Sequence, residues 1–376
     1  MPRPLHDPTD TMPIHRPLAD WNSPHTADPD APLVLRFAAV GDVVLLTALL
    51  AALAQRYGRP VHLLSSGAWT PVLLGHDPAV AELRLLSSRR APYWLTPSQW
   101  AARRYIRAHR GPVYLCDPDI YAQRVIDGAG VPESRLVRAW QHWPGDGIHW
   151  VDWWLQIAAL DAPAVPGPAQ PVSVPAHPRL AVPPEWHAQA EAWLAAQGLL
   201  GRPLVLVQPG HKKTYKRGKV GTTTHDKHWP AEHWAAVIRG MLQSLPQAAV
   251  LLNGAPREAA LVQDIIDAVD APAGPHRLVN LAREDTPLSR LAALAARAHS
   301  MVSVDTGPAH VAGAMDCPLV ALYGQAGWGR WKARAPHSTV IALGPEAPTS
   351  GARLMDLSPE AVLAAWRSLP ARRAVQ

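Results

Sequence analysis

Residues 301–324 constrain the fold of this chain more than any other stretch. An apolar run at 301–304 has the length and composition of a buried parallel strand. It breaks at Asp305-Thr306-Gly307, and Pro308 suits the first turn of a helix, where its missing N–H costs nothing. A second apolar run, 319–323, follows after one short helix. A helix that starts at a strand's C-terminal edge presents free N–H groups and the positive end of its dipole, which suits phosphate. Asp305, Thr306 and His310 would surround that point. The plainer alternative is a helix capped by Asp305 or Thr306, with His310 on its surface.

Three other segments repeat the strand-turn-helix pattern. Residues 33–47 read as a strand, a short loop and a long apolar helix that continues to Tyr57. Asp42 stands at the hand-over, the edge where open α/β sheets bind ligands, although an N-cap role would also put it there. Residues 205–230 begin with a strand that ends at Pro209-Gly210, and a helix is expected near Pro230. Five of the chain's six lysines lie between Lys212 and Lys227, while arginine is used freely elsewhere. Lysine is a compact mobile cation, able to follow charge on a leaving group, whereas arginine is a planar fork. A solvated basic loop is the alternative for Lys212, Lys213, Lys216 and Lys219. Residues 249–258 read as a strand, a turn through Gly254 and a helix that Pro256 can start. Glu258 falls in its first turn, where a carboxylate favours the helix by charge alone.

Alternating short apolar strands and helices specify α/β architecture with parallel sheets, and 376 residues suffice for two domains. Residues 1–31 lack periodicity and read as a disordered tail. The first domain spans 32–161, with strands near 33–36, 61–64, 82–86 and 113–116. A proline-rich linker covers 162–184 and the second domain 185–350. A closing helix within 351–376 is expected to cross back onto the first domain. No run approaches the length of a membrane span, and the amino-terminal residues lack a secretory signal's basic and apolar regions, which implies a cytoplasmic protein. Cys116 and Cys317 belong to no metal motif and read as small buried residues.

Four separated segments resemble the heptosyltransferase family of glycosyltransferases, glycosyltransferase family 9. The residues that carry the likeness are Asp305-Thr306-Gly307-Pro308 with His310, Gly41-Asp42, Asp226-Lys227-His228-Trp229-Pro230, and Glu258 after its turn. The resemblance runs from about residue 32 to 345 and implies the GT-B fold, two Rossmann-like domains whose parallel sheets face each other across a cleft. It implies Asp42 as the catalytic base and Lys227 as a contact to the donor phosphates. Thr223, Thr224, Asp305, Thr306, Gly307, Pro308 and His310 would also hold the donor, with Glu258 on its ribose. Arg36 and Gly41 would lie on the acceptor side. Ala38-Ala39 and Ala48 depart from the family's usual small hydroxyl residues and proline, which touches acceptor contacts more than the base. The implied donor is a nucleotide sugar, ADP-heptose, and the implied acceptor an inner-core sugar of lipopolysaccharide. No metal and no cofactor is needed.

The basic balance, formal net charge +6, fits anionic lipid or a phosphorylated glycan. No nucleic-acid-binding signature accompanies it. Arg103 and Arg107, four apart in a helical segment, could hold acceptor carboxylates or phosphates, or rest on an anionic membrane. Of sixteen tryptophans, Trp150, Trp153 and Trp154 form a core stripe with Ile157, whereas Trp140 and Trp143 could stack on sugar faces. A nucleotide-dependent oxidoreductase would share the alternation, but no G-x-G-x-x-G follows the first strand. A non-catalytic sugar-nucleotide or glycan binder, or a family member with another donor sugar, is the remaining alternative.

Overall fold

Strands and helices alternate along the chain, and helices cover both faces of each sheet, so the strands are apolar on both sides. The computed structural model describes residues 21, 28–87, 96–167, 173–211, 215, 216, 219, 220, 227–269, 277–284, 286–345 and 353–372. The amino-terminal half contains β1 (Leu33–Leu35), α1 (Val40–Tyr57), β2 (Val61–Ser65), α2 (Trp69–Leu74) and β3 (Val80–Leu85). It continues with α3 (Pro97–Ala108), β4 (Val113–Leu115), α4 (Ile120–Ala129), β5 (Leu136–Arg138) and α5 (Trp150–Ala158). Its sheet has the order β3-β2-β1-β4-β5, parallel throughout. Strand β5 was not anticipated. Three residues carry no period of their own, and pairing with β4 makes the strand.

The second half begins with α6 (Pro184–Ala196) and β6 (Leu204–Gln208), followed by a short antiparallel pair, β7 (Tyr215–Lys216) and β8 (Lys219–Val220). Then come α7 (Ala231–Ser244), β9 (Ala249–Leu252), α8 (Ala259–Val269), β10 (Leu278–Asn280), α9 (Leu288–Arg297) and β11 (Ser300–Val304). The last elements are α10 (Gly307–Ala314), β12 (Leu319–Leu322), β13 (Val340–Leu343) and α11 (Pro359–Arg367). The sheet order is β10-β9-β6-β11-β12-β13, again all parallel.

Three apolar layers result. One backs the outer face of the first sheet and another the outer face of the second. The third is shared, running from Val34, Leu49 and Trp153 through to Leu206, Met301 and Tyr323. Helices α1 and α10 pack against each other in this shared layer, as do α2 and α9. Contrary to expectation, α1 does have the length and mean hydropathy, 1.4, of a membrane span, but 72% of that stretch is buried inside the protein. It needs its apolar circumference because the first sheet's helix layer, α5 and α10 all press on it.

Two further expectations are corrected. Helix α11 does not cross back onto the first half; it packs on α7 and β12. Its apolar face, Val362 and Trp366, completes the second half's own core, and Trp366 Nε1 donates to Ser300 Oγ at 2.7 Å. Gly240 on α7 permits this approach, since a Cβ there would stand 2.2 Å from Leu363 Cδ2. The tail 1–31 is not structureless throughout, although 1–20 and 22–27 lie outside the described residues. Trp21 Nε1 donates to Leu85 O at 3.0 Å, and Arg110 holds both oxygens of Asp30 at 2.9 Å. The described part of the connecting stretch runs beside α1, where Ser173 N–H donates to Gln55 Oε1 and Arg179 N–H to Thr47 Oγ1.

Candidate active site

Strand order reverses between β1 and β4 in the first sheet, and between β6 and β11 in the second. Such reversals leave a crevice at the C-terminal edge of the strands. The two crevices face each other, and one cleft of about 470 Å³ opens between them.

On the first edge Asp42 occupies the third position of α1, after Ala39 at the N-cap. Its Oδ2 accepts from the Ala39 N–H at 3.2 Å, and its Oδ1 lies 3.4 Å from Arg36 Nη2. The carboxylate thus ties down its own helix turn yet keeps 27% of its side chain exposed at the cleft. Arg36 does not face an acceptor, as the resemblance implied. It is buried, donates from Nη1 to Cys116 O at 2.9 Å, and sits about 6 Å from the ring centroids of Trp140, Trp150 and Trp154. Its guanidinium thus stands as a buried positive group behind Asp42.

The starts of α1 and α10 are in close contact, and glycines make that possible. A Cβ on Gly41 would lie 2.5 Å from His310 Cδ2, and one on Gly307 would lie 2.6 Å from Val40 Cβ. Gly41 is therefore a packing glycine that also lines the cleft. His310 is buried between the two helices with Nδ1 lacking a partner. Burial holds its pKa below the usual imidazole value, against the opposite pull of the Asp305 and Asp42 carboxylates.

On the second edge Lys227 Nζ donates to Asp305 Oδ2 at 2.8 Å and to Asp305 O at 2.9 Å. Trp229, fully buried with Nε1 donating to Leu357 O, anchors the chain just after Lys227 and so fixes where the amine emerges. An ammonium has three donors, so one remains for a ligand. Asp305 Oδ2 also accepts from Trp331 Nε1 at 3.3 Å. Asp305 is therefore a holder of Lys227, since a carboxylate placed directly on phosphate would repel it. Thr306 is the N-cap of α10 and makes no side-chain cap bond. Its hydroxyl, the Gly307 turn and Pro308 line the cleft.

Glu258 is buried beside the end of β6. Oε2 accepts from the Ala255 N–H at 2.8 Å, while Oε1 lacks a partner and would stand 2.5 Å from a Cβ on Gly210. Burial raises its pKa, with the Ala255 bond and Arg257 opposing. An acceptor left open in a buried place is suited to a ligand hydroxyl. Among the described residues no group of His, Cys, Asp and Glu side chains converges as a metal site would require.

Other expected residues fall elsewhere. Thr223 and Thr224 lie outside the described residues, as do Lys212, Lys213, Arg89 and Arg90. Arg103 and Arg107 are away from the cleft, on the outer side of the first sheet, where they donate to the carbonyls of Arg124, Gly128 and Ala129 on α4. Trp143 packs edge-on against Trp153, with centroids 4.8 Å apart, and is not at the cleft. Trp150, read as core, instead lines the cleft together with Trp69 and Trp331. His211 and Gln325 also line it. Both follow strand ends, so the edge rule that selected Asp42 and Asp305 could have found them.

The segment after β12 clasps the first half. His149 Nε2 bonds Lys332 O at 2.9 Å, Arg334 grips both oxygens of Asp152 at 2.6 and 2.9 Å, and Arg330 pairs with Asp146. Trp331 lies inside this clasp, its ring 6.4 Å from that of Trp150.

Residues 179–353 match the model of glycosyltransferase family 9 (heptosyltransferase). Over 134 residues the chain is 33% identical to lipopolysaccharide heptosyltransferase 1 of Escherichia coli strain K12, covering 34% of this chain and 39% of that relative. The match thus spans well under two thirds of the curated relative's length. Among solved structures, the glycosyl transferase family 9 protein of Veillonella parvula DSM 2008 is similar with a TM-score of 0.70 at 18% identity, over 90% of this chain and 96% of that one. E. coli ADP-heptose lps heptosyltransferase II gives 0.64 at 23% identity, over 90% and 97%. These structural likenesses concern the fold, two parallel-sheet α/β units in the GT-B arrangement.

Proposed function

We propose that this chain is an inverting glycosyltransferase of family 9, the heptosyltransferases, that moves a heptose from ADP-heptose to an inner-core lipopolysaccharide sugar. The observation that carries the reading is the facing of Asp42 on one sheet edge by Lys227 and the start of α10 on the other, across one cleft. Two reactants held between such edges meet in a fixed geometry, which is where much of an enzyme's advantage lies.

In the reaction the acceptor hydroxyl oxygen forms a bond to the anomeric carbon while its proton passes to the Asp42 carboxylate. The bond from that carbon to the diphosphate oxygen breaks, and its electron pair leaves with ADP. Attack from the Asp42 side, opposite the leaving group, inverts the anomeric centre. The remaining donor on Lys227, the Thr306 hydroxyl and the amide end of α10 stabilise the charge that develops on the diphosphate. Arg36, 3.4 Å from Asp42 Oδ1, keeps that carboxylate oriented before the acceptor arrives. Glu258 receives the ribose hydroxyls through Oε1. Trp69 and Trp150, which line the cleft where Trp140 and Trp143 do not, offer ring faces to the acceptor sugar.

This reading places the protein in the cytoplasm at the inner face of the membrane, where such an acceptor is reached. The relatives reported above are named as transferases, which lends no support to a binding-only role. The test is turnover of ADP-heptose with deacylated inner-core oligosaccharide, following ADP release and the anomeric configuration of the product. Retention of configuration, or no ADP release from any of a panel of nucleoside-diphosphate sugars, would overturn the reading.

A further inference from the structure

We infer that the outer face of α3, with the start of α4, is a docking surface for an anionic lipid bilayer. Trp100, Arg103, Arg104 and Arg107 stand at i, i+3, i+4 and i+7 on α3 and so share one face. Together with Gly128 they line a shallow hollow of about 270 Å³. Trp100 is 62% exposed and Ile120, at the first position of α4, is 57% exposed. Among the described residues only three large apolar side chains are exposed, and these are two of them. Helices α3 and α4 carry four arginines, the fourth being Arg124, against one carboxylate, Asp127. Asp127 already accepts from Gln123.

An exposed indole within a field of arginines matches the chemistry of a bilayer interface. Indole rings settle at headgroup depth, and guanidinium groups bind lipid phosphates in pairs of hydrogen bonds. Arg107 donates to the Gly128 and Ala129 carbonyls and Arg103 to that of Arg124, which fixes the geometry of the face against α4. Elsewhere on this half Arg110 pairs with Asp30 and Arg138 with Glu133. Trp100 and Ile120 stand near the starts of α3 and α4, whereas Arg107 reaches the far end of α4. Helix α4 starts directly after β4, where Asp117 accepts from the Phe37 N–H, and the Ser87 N–H at the end of β3 donates to Ser98 Oγ at the start of α3.

The experiment is sedimentation of the full chain with vesicles of phosphatidylglycerol and phosphatidylcholine, and with phosphatidylcholine alone. Binding should require the anionic lipid and fall steeply between 0.1 and about 0.5 M salt, as screening shortens the reach of the arginines. Arg104→Glu, a change at an exposed side chain, should weaken binding on the order of 25-fold, two unit charges at about fivefold each. Trp100→Ser should weaken it about tenfold with little added salt dependence. Both variants should bind ADP as the parent does, which shows that they fold and separates this surface from the transfer site. Equal binding to neutral vesicles, no binding, or unchanged binding in both variants would overturn the inference. So would a dimer in sedimentation velocity that Trp100→Ser dissolves, which would assign the face to a second copy of the chain.

Discussion

Lys227 donates to both the carboxylate and the backbone carbonyl of Asp305, so one side chain holds the amine at two points. The pairing fixes the amine at the N-terminus of α10, where its charge adds to the helix dipole. The buried carboxylate, 7% exposed, is in turn matched by that amine and by Trp331.

Lys227→Ala should therefore act twice, removing a cation from the diphosphate and leaving Asp305 unpaired beside it. ADP affinity should drop on the order of 10- to 100-fold, the scale of a charge-assisted bond together with an uncompensated carboxylate. Lys212→Ala and Lys216→Ala should do far less. Calorimetry with ADP on the three variants decides, and equal losses would show that the phosphate contact lies elsewhere.

Asp42→Asn keeps an oxygen for the Ala39 N–H but cannot take a proton. Turnover should fall by about two to four orders of magnitude, with ADP affinity nearly unchanged. Near-normal turnover would dismiss Asp42 as the base. A protein that no longer folds would instead reveal the bond to Ala39 as its main task.

Glu258→Gln should weaken ADP binding by about tenfold or more, since a charged acceptor for ribose hydroxyls becomes a neutral one. The same substitution should cost little against 2′,3′-dideoxy-ADP. Losses of equal size for both nucleotides would place the ribose elsewhere. ADP should bind as well in chelator as in magnesium.

Gly41→Ala would place a Cβ against the His310 ring and force α1 from α10. A stability loss of about 1 to 3 kcal/mol is expected, typical of overpacking, along with reduced turnover. Thermal unfolding reads the first and the assay above the second. An unchanged melting temperature would mean that the two helices separate at no cost.

His149 should make the protein acid-sensitive. Burial lowers its pKa to about 4, opposed by its bond to Lys332. In the unfolded chain it would titrate near 6.5. Between those values the unfolded state binds the extra proton, so stability is full above about pH 6.5 and declines as pH falls toward 4, by up to about 3 kcal/mol. His310, also lowered by burial, adds in the same direction. Protonation would also place a hydrogen on Nδ1, which now accepts from the Val151 N–H. His149→Asn can still cap α5 but does not titrate, so denaturation curves at pH 7 and 5 should lie closer together than in the parent. An identical pH dependence would rule His149 out as the source.

Residue order alone carried the parallel sheets, because a helix between two apolar strands leaves few other ways to hide both faces. It also put Asp42, Glu258 and Asp305 where a strand ends or a helix begins, an edge that is defined locally, whereas Lys227 and the roles of all four came from the resemblance to the family. What it could not carry was direction and company. Arg36 and Trp150 sit next to the same strand-end and helix-start signals. Yet one is buried behind Asp42 and the other faces the cleft, because their neighbours come from segments over a hundred residues away. Helix α11 was expected on the first half; the notch at Gly240 and the Ser300 hydroxyl settled it on the second. The clasp of Arg334 on Asp152 spans 182 positions. Periodicity and capping are written over a few residues, whereas the pairing of buried charges and rings across a cleft exists only once both sheets have been assembled.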